Sequence, residues 1–176
     1  DRALILINRL PGVSVEANYQ TGEKEGATDL GLKVKDKSLI STFAMADNTG
    51  SRSTGKDKQF ASITLNSPLG YGDNLSFSGL RSDGTAYGQL AYTIPLGAQG
   101  LRVGGNASYM AYEVTLNDPG MQSLSTYKPK GSSRVAGVNL SYPLWLSQQG
   151  GLDLTTSFDD KHFVNRRLDS GYYVDT

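Results

Sequence analysis

From Phe60 onward the sequence is written in runs of about ten residues with an apolar side chain at every second position, the spacing that gives a β-strand one oily and one wet face. Ala61, Ile63 and Leu65 share one phase, with Ser62, Thr64 and Asn66 in the other. Leu75 and Phe77 alternate with Ser76 and Ser78, and Ala86, Leu90, Tyr92, Ile94 and Leu96 stand against Tyr87, Gln89 and Thr93. Leu101, Val103, Ala107, Tyr109 and Ala111 oppose Arg102, Asn106, Ser108 and Tyr112. Ala136, Val138, Leu140, Tyr142 and Leu144 oppose Asn139 and Ser141, and Leu152, Leu154 and Phe158 oppose Asp153, Thr155, Ser157 and Asp159. Alternation alone is common to soluble sandwiches and membrane barrels.

The connections separate the two. Short linkers fall at Ser67 to Asp73, Gly97 to Gly100 and Ser147 to Gly151, whereas Asp47 to Asp57 and Asn117 to Ser132 are longer and polar. Apart from a modest loop at Arg81 to Thr85, short and long connections alternate, as the periplasmic turns and extracellular loops of outer-membrane barrels do. Strands of about ten residues also suit a tilted crossing of the hydrocarbon layer. Tyr71, Tyr92, Tyr109, Tyr112, Tyr142, Tyr172 and Tyr173 lie within or near strand ends, where an amphipathic ring fits the membrane interface.

Composition sets limits on function. The chain of 176 residues balances 17 basic against 17 acidic side chains and has no Lys/Arg cluster interleaved with aromatics, so a nucleic-acid partner is not expected. A mean hydropathy of −0.37 fits no transmembrane helix, but barrel strands are only half apolar. Cysteine is absent, which removes disulfides and thiolate metal sites. The 21 glycines favour turns and bends over helices. Asp1 is not preceded by an export signal, so the chain reads as a mature protein or an internal piece of one.

Residues 1–37 have a different texture. Arg2 to Leu10 has the pattern of an amphipathic helix, stopped by Pro11-Gly12. Val13, Val15, Ala17 and Tyr19 then alternate with Ser14, Glu16, Asn18 and Gln20; a polar connection from Thr21 to Gly26 leads to Leu30, Leu32 and Val34 opposite Lys33, Lys35 and Lys37. A helix and two strands are too few to enclose a core, so a missing N-terminal portion is expected. Leu39 to Ala46 opens the strand series, which counts seven strands and the start of an eighth at Tyr172 to Thr176.

The stretch RALILINRLPGVSVEANYQTGEKEGATDLGLKVKDK, the turn NSPLGYGD and the strands GQLAYTIPLG, GLRVGGNASYMAYEV and LDLTTSFDDKHF resemble the haemolysin secretion/activation family, the outer-membrane transporters of two-partner secretion. The resemblance covers essentially the whole chain. It implies a mainly β fold in which residues 1–37 are the C-terminal part of a periplasmic POTRA domain and residues 38–176 the N-terminal half of an antiparallel transmembrane barrel of about sixteen strands. It implies a Gram-negative outer-membrane location, outer-membrane lipid around the barrel, and a large unfolded exoprotein (haemolysin, adhesin or toxin) as client. Catalysis, cofactors and metals are not part of it. A first POTRA, a plug helix and a Val-Arg-Gly loop are absent from these residues, so the 176 alone are expected not to make a working pore. Two other readings of the alternation are a small closed barrel with a structural or adhesive role and a soluble β-sandwich binding module.

Two groups of residues are candidates for function. Gln89, Arg102, Asn106, Asp153, Ser157 and Asp159 occupy the wet phase and are expected to face a lumen, where mixed charges and amides offer an extended chain many weak contacts. Val13, Ser14, Val15 and Glu16 lie on the strand that the resemblance puts at a POTRA edge, open to a client strand adding by main-chain hydrogen bonds. His162, the single histidine, follows Asp159, Asp160 and Lys161 at an expected strand end. A solvated loop approach accounts for it better than a catalytic or metal site, which needs partners not written here. Gly100, Gly104 and Gly105 lack the helix of a dinucleotide fingerprint, and no serine sits in a Gly-x-Ser-x-Gly elbow.

Overall fold

The computed structural model of the chain describes residues 2–22, 28–114, 129–169 and 172–175. It opens with a helix, α1 (Arg2–Asn8), followed by strands β1 (Val13–Thr21) and β2 (Thr28–Asp36). Eight further strands follow: β3 (Ile40–Asp47), β4 (Lys58–Asn66), β5 (Asn74–Arg81), β6 (Thr85–Leu96), β7 (Leu101–Glu113), β8 (Lys130–Leu146), β9 (Gly151–Asp169) and β10 (Tyr172–Asp175). The helix ends two residues before the expected Leu10. Arg9 N–H is shared between the carbonyls of Ile5 and Leu6, and Leu10 N–H reaches Ile7 O at 3.0 Å, so the last turn tightens before Pro11. Gly12 then takes a φ of +84°, which a side chain would resist.

β1 and β2 form a two-stranded antiparallel sheet in register from Val13 opposite Asp36 to Thr21 opposite Thr28. This register puts Val15, Ala17 and Tyr19 on one face with Val34, Leu32 and Leu30. Part of the expected Thr21 to Gly26 connection lies outside the described residues.

β3 to β10 form one antiparallel sheet in which every strand pairs with its neighbours in sequence, with β3 and β10 at its edges. Sequence order and short turns dictate this meander, since antiparallel neighbours need only a hairpin between them. The register carries each apolar phase across the sheet: Ile63 is opposite Phe77, Phe77 opposite Leu90, Leu90 opposite Ala107 and Ala107 opposite Ala136. Among the described residues few apolar side chains are buried, Val15, Pro143 and Leu146, whereas Val138, Leu154 and Phe158 are 60%, 54% and 73% exposed. An apolar face of that extent needs a nonaqueous neighbour. A β-sandwich would cover it with a second sheet, but all eight strands belong to one.

Several boundaries differ from expectation. β8 and β9 are 17 and 19 residues long, well beyond the expected crossing length. Their polar ends keep pairing, Lys130 with Arg166 and Arg134 with His162, because ladder hydrogen bonds do not depend on an apolar face. β8 therefore begins inside the expected Asn117 to Ser132 loop, of which residues 117–128 lie outside the described residues. For the same reason His162 sits within β9 and not at its end. Near the far end of β8 a bulge between Pro143 and Trp145 gives Trp145, not Leu144, the position opposite Leu152.

Candidate functional site

Gln89, Arg102, Asn106, Asp153, Ser157 and Asp159 all fall on the face opposite Ile63, Leu90 and Phe158. Gln89 lies between Ser78 and Ser108, Asn106 between Ala91 and Gly137, and Ser157 beside Asn139. Asp159 is opposite Gly137, Arg102 opposite Ser141 and Asp153 opposite Pro143. Tyr87 Oη donates to Gln89 Oε1 at 3.1 Å, and Lys161 Nζ stands 3.8 Å from Asp159 Oδ2. Glycines admit this crowd of polar groups. A Cβ on Gly137 would collide with the Asp159 carboxyl and crowd Asn106, and one on Gly104 would press on Asn139 and Thr93. The polar face is thus interdigitated at the level of β7, β8 and β9.

Asp159 and Lys161 belong to this face, while alternation turns Asp160 and His162 to the other. The four consecutive residues therefore do not converge on one centre. Among the described residues no three His, Asp or Glu side chains are grouped to hold a metal ion.

Two of the six have partners that the strand pattern does not reveal. Arg9, just past α1, forms an ion pair with Asp153 at 2.7 Å, and Arg102 Nη1 donates to Arg9 O at 3.4 Å. Arg2 Nη2 donates to Pro143 O at 3.0 Å and to Gln99 O at 3.4 Å. Apolar contacts accompany these bonds. Leu10 lies where a Cβ on Gly72 would be, and Leu6 and Pro143 close over Gly100, whose φ is +88°. α1 is thereby docked on the rim formed by the short connections. Arg102 and Asp153 each follow a short turn by two or three residues, so their rim position was readable; their partner, over 90 residues away in sequence for Arg102, was not.

The second group borders the same helix. Lys37 N–H donates to Gly12 O at 2.9 Å, which fixes the alternation of paired and outward groups along β1. Val13, Val15, Ala17 and Tyr19 consequently turn their N–H and C=O groups away from β2. At Val15 both are occupied: its N–H donates to Asn8 Oδ1 and its carbonyl accepts from Asn8 Nδ2, each at 2.8 Å. Ser14 Oγ lies 3.5 Å from the same Asn8 Oδ1, and Glu16 pairs with Lys35 across the hairpin. Asn8 thus imitates one residue of an added strand. Nothing in the periodicity of the segment marks Asn8, because a side-chain amide bonding to backbone leaves no pattern.

Residues 26–170 match the profile of the family described as haemolysin secretion/activation protein ShlB/FhaC/HecB. The chain belongs to this family. It is 25% identical over 169 residues to the heme/hemopexin transporter protein HuxB of Haemophilus influenzae, a match covering 95% of this chain and 29% of that protein. The outer membrane transporter CdiB-2 of Burkholderia pseudomallei is also 25% identical, over 98% of this chain and 30% of its own length. The chain spans less than a third of these relatives. Among solved structures, CdiB from Escherichia coli superposes with a TM-score of 0.74 at 22% identity, over 97% of this chain and 32% of the other. The eight-stranded sheet is accordingly part of the wall of a Gram-negative outer-membrane β-barrel, and the family is one of transporters, not enzymes.

Proposed function

We propose that the whole protein is the outer-membrane transporter of a two-partner secretion pair, binding a large unfolded exoprotein in the periplasm and passing it through its barrel without covalent chemistry or a cofactor. Residues 1–37 are the C-terminal part of a POTRA domain on the periplasmic side, and residues 38–176 the N-terminal half of the barrel, with its apolar face in outer-membrane lipid. The long connections face outward. Gln89, Asn106, Ser157 and Asp159 line the passage, and Arg102 and Asp153 hold its periplasmic rim to α1. Nucleic acid has no part in this function.

The observation that carries the reading is the continuity between α1 and the rim. The helix whose Asn8 borders β1 is joined through Arg9 to Asp153 and Arg102 on the polar face. A client strand pairing along Ala17 to Thr21 is thereby delivered beside the mouth, and it extends over Val13, Ser14, Val15 and Glu16 once the Asn8 amide swings away. Photocrosslinkers at Ser14, Glu16, Asn106 and Ser157 of the intact transporter should trap the client during secretion, with the β1 positions reacting before the barrel positions. Consistent failure at all four in cells that still secrete would sink the proposal.

A further inference from the structure

On the face that carries Ile63, Leu90 and Phe158, charge is confined to one end. The rows nearest the short connections, such as Leu65, Leu75, Ile94, Leu96, Leu101, Leu140 and Leu154, are uncharged. Toward the long connections the same face reaches Tyr109, opposite Arg134, which is in turn opposite His162. Arg81 on β5 and Lys130 and Arg166 at the ends of β8 and β9 lie on that face too. These side chains line a concavity of about 610 Å³, which also includes Asp83 and Glu113. Cations exceed carboxyls in it. Asp160, also on this face, lies one row closer to the apolar band.

Position distinguishes this cluster from an ordinary solvated rim. Arg134 is held over the Tyr109 ring, its guanidinium carbon 5.8 Å from the centroid, at the level where the apolar rows give way to polar ones. An aromatic ring at that level marks the membrane interface, and an arginine beside it extends its head along the boundary. Between the Arg81 and Arg134 strands the same face carries Ala86, Gly88 and Ala111 beside Tyr109, with Glu113 one row further out, and a Cβ at Gly88 would meet nothing within 4 Å. The result is a trough three strand spacings wide, roughly 14 Å, with a guanidinium on each flank. Guanidinium forks match phosphate oxygens, and basic pockets at the edge of a membrane span take up anionic headgroups.

We infer that this trough binds the phosphorylated disaccharide headgroup of the outer-leaflet glycolipid, with Arg81 and Arg134 holding phosphates and Tyr109 lying against the sugar and upper acyl region. The inference rests on the orientation that puts the long connections outside. The occupant is a lipid and not a soluble ligand because the trough opens toward the bilayer, directly above the apolar rows.

Purified full-length transporter, titrated with phosphatidylethanolamine vesicles containing bisphosphorylated lipid A, should bind at least about tenfold more tightly than to vesicles containing the same lipid A stripped of both phosphates. The Arg81→Gln, Arg134→Gln double variant should lose that preference while keeping heat-modifiable migration on a gel. Equal binding of the two lipids by the unmodified protein overturns the inference, whether or not the variant folds. So does an unchanged preference in a folded variant, or full competition by millimolar inorganic phosphate, which would mark a site for free anions. Secretion measured in parallel separates this inference from the transport reading: lost phosphate preference with normal secretion is the lipid site failing alone, and normal preference without secretion is the transport reading failing alone.

Discussion

At Asp73 a carboxyl group with no solvent exposure closes the connection between β4 and β5. It accepts from the backbone N–H groups of Leu69 at 3.3 Å and Tyr71 at 3.4 Å and from Tyr92 Oη at 3.0 Å. The turn that presents these donors needs Ser67, Gly70 and Gly72 at positive φ, and Ser67 Oγ accepts from Gly72 N–H at 3.0 Å. Substituting Asp73 by alanine strands three part-buried donors at once, a change costing about 2–4 kcal/mol when no water replaces the carboxyl. The expected outcome for Asp73→Ala is a lower urea midpoint of the folded, heat-modifiable form in the full-length protein, and a smaller drop for Tyr92→Phe, which removes only one donor. Equal midpoints for Asp73→Ala and the unmodified protein would show that the turn holds without this carboxyl. The composition NSPLGYGD announces a tight turn, but the burial of its last residue follows from a tyrosine one strand away and is not visible in the turn itself.

Strands and helix differ in how openly the sequence declares them. Each strand of the eight-stranded sheet has one apolar and one polar side, so a local period of two records its pattern, and apart from the bulge at Leu144 the phases read from Phe60 to Phe158 coincide with the observed register. Beyond the apolar band that record ends, which is why the outer ends of β8 and β9 read as loop. α1 is harder still: seven residues cannot sustain a helix by themselves, and none of its side chains is fully buried. Its position comes from Arg2, Leu6, Arg9 and Leu10 meeting turns far along the chain. The Arg9 and Asp153 side chains are both 42% exposed, so their pair is partly screened and contributes little alone. Replacing Arg2 and Arg9 by alanine together should loosen α1 without disturbing the barrel. Limited proteolysis of the full-length protein should then cut near residues 2–12 up to about fivefold faster, with gel migration of the folded form unchanged. A rate equal to that of the unmodified protein would mean that Leu6 and Leu10 hold the helix unaided.

Taken whole, the sheet has order but no closure. β3 and β10 are its two edges and do not pair with one another among the described residues, so the alternative of a small closed barrel is not the arrangement present. In water an open edge invites aggregation; in hydrocarbon each unpaired N–H and C=O costs several kcal/mol, because no solvent molecule replaces the missing strand. Curling the eight strands shut would relieve that cost but narrow the interior, forcing together the polar side chains that already interlock around Gly104 and Gly137. In the function proposed above, the polar face is instead one side of a wider passage, which takes more strands than these eight to enclose. Planar-bilayer recordings should therefore show discrete conductance steps for the full-length transporter and none for residues 1–176 refolded from detergent under the same conditions. Reproducible single-channel steps from the 176 residues alone would mean that eight strands suffice to enclose water, and the half-wall reading would fall with them.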